Sequence, residues 1–399
     1  ERDPYDTELN RFPYVNGGLF KGACEIPEFT EDLRHLLLFE VAQQTDWSGI
    51  SPTVFGGVFE STLNPETRRK GGMHYTSVEN IHKVIDPLFL DELNEEWRTI
   101  KADERPKKRR ELMFGFQEKI ASLSFLDPAC GSGNFLTETY LCLRRLENEV
   151  LAELNRGQTV LGFEGVCDVK VSLGRLNGIE INDFAVRVAQ TALWIAELQA
   201  NVESEAIILR DIESLPLKDS GKIVEGNALT MDWNNVVPSC ECTYVVGNPP
   251  FLGGKIMSAS QRAEIRALYG KVPLVNSIDY VSGWYYKAAD YIGDSARCAF
   301  VSTSSICQGQ QVEPIWRTLM ARFGIRIDFA WRSFVWDSEA SDQAHVHVVI
   351  VGFSKASGGK PVIFSDGESI EAENVSPYLL DTPNVIVGTS PKPICPNAP

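Results

Sequence analysis

The 399-residue chain lacks the features of membrane and secreted proteins. No run of about 18 apolar residues is present, which excludes a membrane-spanning helix. The first residues do not form a signal peptide. The nine cysteines are odd in number and follow no repeated spacing, so they do not indicate a disulfide framework. We therefore predict a soluble protein of the reducing cytoplasm, with no membrane as a partner.

Recognisable metal-ligand patterns are also lacking. Cys240-x-Cys242 and His345-x-His347 each offer two donor atoms, but neither has a clear second pair to complete a tetrahedral site. Packing or hydrogen bonding on one face of a strand explains His345 and His347. The sequence therefore predicts no metal site.

Positive charge is scarce, because 38 Lys and Arg stand against 54 Asp and Glu and the formal net charge is −16. This balance is unusual for a protein that binds nucleic-acid phosphates. Two basic clusters oppose the trend, Arg68-Arg69-Lys70 and Lys107-Lys108-Arg109-Arg110. The second lies in a Glu/Lys/Arg-rich helical stretch and is typical of a solvated face. The first is equally consistent with a solvated face and with contact to a nucleic-acid backbone.

The hydrophobic pattern divides the chain into three parts. Residues 1–115 have helical apolar spacing and form a predicted helical connector. Residues 116–360 alternate strand and helix patterns, which predicts an α/β fold with a mainly parallel sheet and helices on both faces. Residues 361–399 are rich in Pro, Gly, Asn and Ser and form a predicted linker. The predicted strands are Ser124–Leu126, Leu176–Glu180, Ile207–Leu209, Thr243–Val246, Cys298–Ser302, Ile325–Ala330, His345–Phe353 and Val362–Phe364, and the clearest predicted helices are Glu31–Gln44, Val78–Trp97, Leu136–Asn155 and Phe184–Ala200.

The most informative motif is Asn248-Pro249-Pro250-Phe251, directly after the apolar run Tyr244–Gly247. The Asn248 side-chain oxygen and the Pro249 carbonyl can each accept an N–H, and Phe251 can stack on a planar ring. The lone pair of an exocyclic amine is delocalised into its ring, so the amine attacks a methyl donor only when rehybridisation is favoured. The motif therefore indicates methylation of a planar amino group.

A glycine turn lies upstream, in Asp127-Pro128-Ala129-Cys130-Gly131-Ser132-Gly133, between an apolar strand and a helical pattern. Gly131 and Gly133 allow the backbone to approach a ligand, and the first turn of the next helix offers free N–H groups to an anion. Alone, such a turn is equally well explained as a tight strand-to-helix connection. Its pairing with the downstream Asn-Pro-Pro-Phe motif favours a cofactor site.

One strand end and one segment after an Ile/Val stretch have residues suited to a nucleotide-like ligand. Glu180, in Gly178-Ile179-Glu180-Ile181-Asn182, stands where an acid binds ribose hydroxyls in nucleotide sites, although an acid there can instead cap the next helix. Asn227, in Gly226-Asn227-Ala228-Leu229, can face an adenine edge, with Ile181 and Leu229 as apolar covers. Alone, that segment is more typical of a turn.

Together these motifs resemble the amino-methylating, S-adenosylmethionine-dependent DNA methyltransferases of the gamma arrangement. Segments Phe55–Glu60 and Ala192–Gln199 are also similar to MmeI-like restriction-modification enzymes, so the resemblance spans nearly the whole chain. It implies a Rossmann-like class I methyltransferase fold preceded by a helical connector domain. It further implies S-adenosylmethionine as cofactor, double-stranded DNA as partner and a bacterial or archaeal cytoplasm. The motifs run in the order His74-Tyr75-Thr76-Ser77, Asp127–Gly133, Gly178–Glu180, Gly226–Leu229 and Asn248–Phe251.

The resemblance also implies roles for individual residues. Asn248, Pro249, Pro250 and Phe251 would hold the target adenine. A second stacking face would come from Phe334 or Trp336. The expected cofactor-binding residues are Tyr75 and Thr76 at the methionine end, Asp127, Ala129, Cys130, Gly131, Gly133 and Asn134 around the amino-acid moiety, Glu180 and Ile181 at the ribose, Asn227 and Ala228 at the adenine, and Asp279 near the cofactor.

Two departures from the family pattern are visible. The stretch between Gly133 and Glu180 is longer than the family's single short helix, and residues 160–173 can form an extra hairpin. Neither an Asp…Glu-x-Lys nuclease site nor a basic recognition module is recognisable. Since the sequence starts at Glu1 and ends in a Pro-rich tail, we expect a segment of a longer protein. Its nuclease and target-recognition domains would lie elsewhere, and cleavage by this segment is not predicted.

The predicted reaction is direct in-line methyl transfer from S-adenosylmethionine to N6 of an adenine flipped out of duplex DNA, within a restriction-modification system. Methylation of a cytosine carbon needs a cysteine nucleophile, and Cys240 and Cys242 precede the catalytic motif. The motif alone does not separate adenine from cytosine N4, guanine in RNA or protein glutamine. A non-catalytic scaffold that binds the cofactor is a further alternative.

Overall fold

The computed structural model describes residues 28–44, 51–53, 76–156, 168–212, 221–336, 346–355, 359–365 and 367–388. In these ranges the strands are β1 (Phe125–Asp127), β2 (Leu176–Glu180), β3 (Ile223–Glu225), β4 (Tyr244–Gly247), β5 (Arg297–Thr303), β6 (Arg326–Trp336), β7 (Val346–Ser354), β8 (Val362–Ser365) and β9 (Glu368–Glu371). The helices are α1 (Glu31–His35), α2 (Val78–Ile85), α3 (Asp91–Ala102), α4 (Pro106–Ser122), α5 (Asn134–Asn155), α6 (Asp183–Ile208), α7 (Ala259–Tyr269), α8 (Ser282–Tyr291) and α9 (Thr318–Phe323). Three segments in the same ranges are π-helical. Leu36–Gln44 follows α1, Asp86–Leu90 joins α2 to α3, and Glu313–Arg317 precedes α9.

These strands form one sheet in the order β3-β2-β1-β4-β5-β7-β6-β8-β9. The first five strands of this order pair in parallel. β7 lies between β5 and β6 and is antiparallel to both. The predicted α/β fold with a mainly parallel sheet, in the Rossmann-like class I methyltransferase arrangement, is confirmed.

The central strands are buried between two apolar layers because successive residues of a strand point to opposite faces. In β1, Phe125 packs into the core on one face and Leu126 into the core on the other. Val246 and Val245 of β4 divide in the same way. Burial on both faces explains why these strands are continuous apolar runs in the sequence.

The helices that precede β1 pack directly on the sheet. Ser77 caps α2, and its side chain accepts the N–H of Asn80. The ring of Phe89 lies 5.1 Å from that of Phe125 and 5.2 Å from that of Tyr244, measured between centroids. These helices therefore share a core with the strands, and β8 and β9 extend the same sheet past residue 361. The domain boundaries at residues 115 and 361 stay predictions.

One predicted strand is wrong. Ile207 and Ile208 end the long helix α6, and Leu209 stops it in a left-handed conformation with a φ of 53°. Three apolar residues in a row do not separate strand from helix. Here packing decides, because the buried Arg144 of α5 donates to the Ala200 carbonyl of α6.

Two strands are absent from the sequence prediction, β3 and β9. Both are short, and β9 is exposed along its whole length. Neither has the apolar alternation from which a strand is predicted. Within the described ranges, no helix is both long and apolar enough to cross a membrane.

The close approach of β1 and β4 gives a test of the fold. A Cβ on Gly247 would overlap the Asp127 carboxylate, which is short and buried. Gly247→Ala should therefore lower the free energy of unfolding by about 1–3 kcal/mol, as measured with denaturant. The matched control is Gly115→Ala in α4, where a Cβ meets nothing within 4 Å. The control should gain about 0.5–1 kcal/mol. Equal stability of the two variants would contradict this packing.

Candidate active site

The ends of β1 to β4 open into a cavity of about 620 Å³. Open α/β sheets bind ligands in this position, outside the carboxyl ends of their parallel strands. The lining includes residues from each of the motifs described in the sequence analysis. The lining residues are Thr76, Pro128, Ala129, Cys130, Gly131, Ser132, Asn134, Phe135, Ile179, Glu180, Ile181, Asn182, Asp183, Glu225, Gly226, Asn227, Ala228, Asn248, Pro250, Gln261, Tyr280 and Trp284.

The glycine turn after β1 forms one wall of this cavity. Gly131 and Gly133 have φ angles of 52° and 84°, which disfavour a side chain. Asp127 accepts a backbone N–H of the turn at 3.0 Å, and the Trp284 indole donates to the Pro128 carbonyl at 3.0 Å. Helix α5 begins directly after the turn and has no side-chain cap. Its first N–H groups and positive dipole end can therefore bind an anion.

Glu180, at the end of β2, links the next wall to the glycine turn. One carboxylate oxygen accepts the Gly131 N–H at 2.9 Å, and the other accepts the Asn182 N–H at 3.0 Å. Burial raises the pKa of this carboxyl, and the backbone hydrogen bonds oppose the rise. Each oxygen has a second lone pair. The carboxylate can therefore hold the turn in place and still accept hydroxyl groups from a ligand.

Asp127 lies behind the glycine turn, next to the lining residues rather than among them. It is buried, and its Oδ2 has no hydrogen-bond partner in the described part of the chain. Burial raises the pKa of Asp127 to about 8; the Ala129 N–H opposes the rise and the charge of Glu180 adds to it. A cationic group bound nearby would favour the ionised carboxylate.

A carboxylate absent from the sequence prediction organises the wall after β3. Asn227 accepts the Leu229 N–H with Oδ1 at 2.9 Å and donates with Nδ2 to Glu264 of α7 at 3.0 Å. The other Glu264 oxygen accepts the Tyr280 hydroxyl at 2.5 Å. Glu264 therefore holds the Asn227 amide in one orientation. No local motif marks Glu264, because its partners are distant in sequence.

Asn248, at the end of β4, presents an acceptor without a donor. Its Nδ2 donates to the Thr76 hydroxyl at 3.1 Å, which orients the amide. Its Oδ1 is buried and has no hydrogen-bond partner among the described residues, although Asn248 lines the cavity. An unsatisfied buried acceptor is destabilising. Its presence at a cavity indicates a bound group that donates a hydrogen bond.

Asp279, expected near the cofactor, directly precedes the lining residue Tyr280. Its Oδ1 accepts the N–H groups of Leu252 and Val281 at 2.9 and 3.2 Å. Its Oδ2 accepts the Thr303 hydroxyl at 3.3 Å. The side chain is buried and is not part of the cavity lining. It instead holds the backbone that follows Phe251.

Most of the predicted site residues come together at this cavity. Asp127, Gly133, Pro249 and Phe251 are chain neighbours of lining residues without lining the cavity themselves. The ring of Phe334 lies 5.3 Å from the Lys83 ammonium, and its stacking role stays a prediction. The predicted residues that do line the cavity are Thr76, Ala129, Cys130, Gly131, Asn134, Glu180, Ile181, Asn227, Ala228, Asn248 and Pro250. Outside the described residues lie Tyr75, Arg68-Arg69-Lys70, His345 and the Trp336 side chain.

The lining is acidic. It contains Glu180, Asp183 and Glu225, and no Lys or Arg is among its described residues. Such a lining favours a ligand with positive charge. Tyr280 and Trp284 add aromatic surface. The sequence motifs do not include these two rings or the two additional acids, which packing brings to the site.

A cluster of possible metal ligands lies elsewhere in the described part of the chain. His82, Glu138 and Cys142 place one donor atom each within 4.8 Å of one another. Arg145 donates to Glu138 at 3.1 Å, so this carboxylate already has a cation. We assign no metal to the cluster.

Comparison with known proteins identifies the family. Residues 101–365 match the family described as MmeI, DNA-methyltransferase domain. The chain belongs to this family. DNA methyltransferase A of Bacillus subtilis (strain 168) is 41% identical over 399 residues, which cover 99% of this chain and 44% of that protein. The solved structure of the type IIL restriction-modification enzyme MmeI in complex with DNA is 40% identical, with a TM-score of 0.89 over 99% of this chain and 52% of that one. The chain thus spans about half the length of these relatives.

The cofactor of this class of methyltransferases is S-adenosylmethionine, and the residues of the cavity fit it. The sulfonium and ammonium groups suit the acidic lining, and the cofactor carboxylate suits the uncapped start of α5. The ribose hydroxyls suit Glu180, which has free lone pairs. Exposed Ile181 offers apolar surface beside the ribose position.

We predict that Glu180→Gln weakens S-adenosylmethionine binding by about tenfold to a hundredfold, because hydrogen bonds to a charged group contribute about 1.5–3 kcal/mol. Glutamine keeps an acceptor for the Gly131 N–H, so the glycine turn should persist. Isothermal titration calorimetry measures the affinity. Asp183→Asn is the matched control, since it removes one exposed charge from the same lining. An equal loss of affinity in both variants would mean that Glu180 contributes only its charge and no specific hydrogen bond.

The buried Asp127 predicts a pH-dependent stability. Its pKa is raised from 3.8 to about 8, so its contribution to stability is fully present below about pH 4 and is lost as the pH rises through about 8. Asp127→Asn does not titrate, and its stability relative to the parent should increase from about pH 4 to about pH 8. Denaturant unfolding across this pH range measures the difference in unfolding free energy between the variant and the parent. The contributions of the other carboxyls are the same in both proteins and cancel in this difference. Parallel pH profiles would show that Asp127 is ionised at neutral pH.

Proposed function

We propose that the chain methylates N6 of adenine in double-stranded DNA, as the modification component of a restriction-modification system. The observation that carries this proposal is the buried, unpartnered Oδ1 of Asn248 at the wall of the cofactor cavity. An adenine amine supplies the N–H that this acceptor lacks. To reach the cavity, the adenine would leave the base stack.

The chain contributes position and hydrogen bonding to the transfer. S-adenosylmethionine, when bound, supplies an electrophilic methyl group. Asn248 Oδ1 and the Pro249 carbonyl would each accept one N–H of the amine, which favours a localised lone pair on nitrogen. Thr76 holds the Asn248 amide with its oxygen available. Asp279 fixes the backbone beyond Phe251, whose ring would stack on the base. Transfer would join the amine nitrogen to the methyl carbon and break the bond from that carbon to the cofactor sulfur. The sulfur would keep the electron pair as S-adenosylhomocysteine leaves, and the amine would lose one proton to solvent.

The cysteines near the motif support direct transfer over a covalent enzyme intermediate. Cys242 is buried, and burial raises the pKa of its thiol to about 12. Cys240 is exposed and, like Cys242, precedes β4, whereas the Asn-Pro-Pro-Phe segment follows it. A nucleophilic thiolate is therefore not favoured at Cys242, and both cysteines precede the strand whose opposite end leads into the motif.

Analysis of the methylated product tests the substrate. The chain is incubated with methyl-labelled S-adenosylmethionine and, in parallel reactions, with mixed-sequence genomic DNA, total RNA or total protein, and the nucleic acids are digested to nucleosides. Label in N6-methyladenine is the expected result. Label in N4-methylcytosine would replace the proposed base, and label in RNA or in protein glutamine would overturn DNA as the substrate. Cofactor binding without transfer to any of these would favour the scaffold alternative.

We predict that Asn248→Ala lowers the methylation rate by about a hundredfold or more, a typical loss when a group that stabilises a transition state is removed. Cofactor affinity should stay within a few-fold, since the residue is placed to face the base. Single-turnover transfer and calorimetry measure the two effects.

Thr76 provides the control variants for this prediction. Thr76→Val removes the hydroxyl that receives the Asn248 amide and keeps the side-chain shape, so a smaller rate loss is expected. Thr76→Ser retains a hydroxyl and should restore most of the rate. Near-normal transfer by Asn248→Ala would exclude the proposed role.

A further inference from the structure

The segment that follows the catalytic motif has a charge opposite to that of the whole chain. Between residues 252 and 276 it contains Lys255, Arg262, Arg266 and Lys271, and its one acid is Glu264. The chain as a whole has a formal charge of −16. The segment next to Asn248–Phe251 therefore has a net positive charge in a chain that is acidic overall.

The structure shows no acidic partner for these four cations among the residues that it describes. In the described part of the chain, no ion pair within 4 Å involves any of them, whereas many other Lys and Arg side chains are paired. Arg262 donates to the Lys255 carbonyl at 3.0 Å, and Arg266 donates to the Asn276 side chain at 2.8 Å. Both acceptors are neutral. The positive charges therefore remain available to an anionic partner.

Arg262 and Arg266 lie on helix α7, on a different side from the residues that face the cofactor cavity. Gln261 lines the cavity, and Glu264 points inward to Asn227 and Tyr280. Ile265 is buried against the core. Arg262 and Arg266 are four residues apart and lie on one side of the helix. Arg262 is half-buried, and Lys255, Arg266 and Lys271 are exposed.

We infer that Lys255, Arg262 and Arg266 form a contact surface for DNA phosphates beside the cavity. This inference rests on the proposed function and assigns the phosphates that flank the methylated adenine to this surface. A flipped nucleotide must be held by its backbone next to the site that receives its base. Cationic side chains at that place would neutralise phosphates, and each contact would release counterions from the duplex. Glu264 would couple the surface to the Asn227 wall of the cofactor site, since it anchors the same helix.

The second basic cluster offers a matched control. Lys107, Lys108 and Arg109 lie on α4, next to Arg110, which donates to the Leu154 carbonyl near the end of α5. The opposite end of α5 lines the cavity at Asn134. With a rise of about 1.5 Å per residue, these ends are roughly 30 Å apart. The cluster on α4 is thus distant from the cavity but equal in charge.

The experiment compares two triple variants that change the net charge equally, Lys255→Gln/Arg262→Gln/Arg266→Gln and Lys107→Gln/Lys108→Gln/Arg109→Gln. Binding of the chain to a mixed-sequence DNA duplex is measured at several salt concentrations with S-adenosylmethionine present. In the variant of Lys255, Arg262 and Arg266, three phosphate contacts are lost. The slope of log affinity against log salt should therefore fall by about 2 to 3. The α4 variant should keep the parent slope. Calorimetry with S-adenosylmethionine verifies that both variants fold.

The outcomes separate this inference from the proposed function. Equal slopes for both variants, or a loss confined to the α4 variant, would overturn the contact surface and leave methylation of DNA intact. A parent chain that transfers label to adenine but shows no salt-dependent duplex binding would likewise overturn the surface alone. Label found only in RNA or protein would remove the proposed function itself.

Discussion

The parallel pairing of β1 with β2 and with β4 is the constraint on which the site depends. It brings the ends of three strands to one edge of the sheet, so that Asp127, Glu180 and Asn248 meet although they are far apart in sequence. The register is held because each strand buries residues on both faces, and a shift by one residue would exchange those faces. The geometry of the site is therefore a consequence of core packing.

The site also concentrates groups that destabilise the fold when no ligand is bound. Asp127 and Asp279 are buried carboxylates, and Asn248 has a buried acceptor without a donor. Burial raises the pKa of both carboxyls because the charged form is disfavoured in a low-dielectric environment. Apolar layers on both sides of the sheet offset this effect. A ligand that donates a hydrogen bond to Asn248 would add stability as it binds, which joins function to folding.

Helix α7 is the element in which the parts of the proposed mechanism meet. Its inner side carries Glu264, which orients Asn227, and Gln261, which lines the cavity. Its outer side carries Arg262 and Arg266. The helix begins a few residues after the Asn-Pro-Pro-Phe motif, so the proposed base site, part of the cofactor wall and the proposed cationic surface lie close together in the sequence. That proximity explains how an acidic chain can present positive charge where a polyanion would approach.

From the sequence alone, the motifs determined the fold class and the main walls of the site, since Glu180 ends and Asn248 follows an apolar run that packing makes a parallel strand. The short β3 before Asn227 is absent from the sequence prediction. The short run Ile207–Leu209 was ambiguous, because three apolar residues suit helix and strand equally and the packing of α6 on α5 decided. Only the tertiary structure placed Asp279 behind Phe251 and Glu264 beside Asn227. Such contacts join residues that are far apart in the sequence and belong to no local motif. The fold of the whole chain therefore determines which polar groups meet.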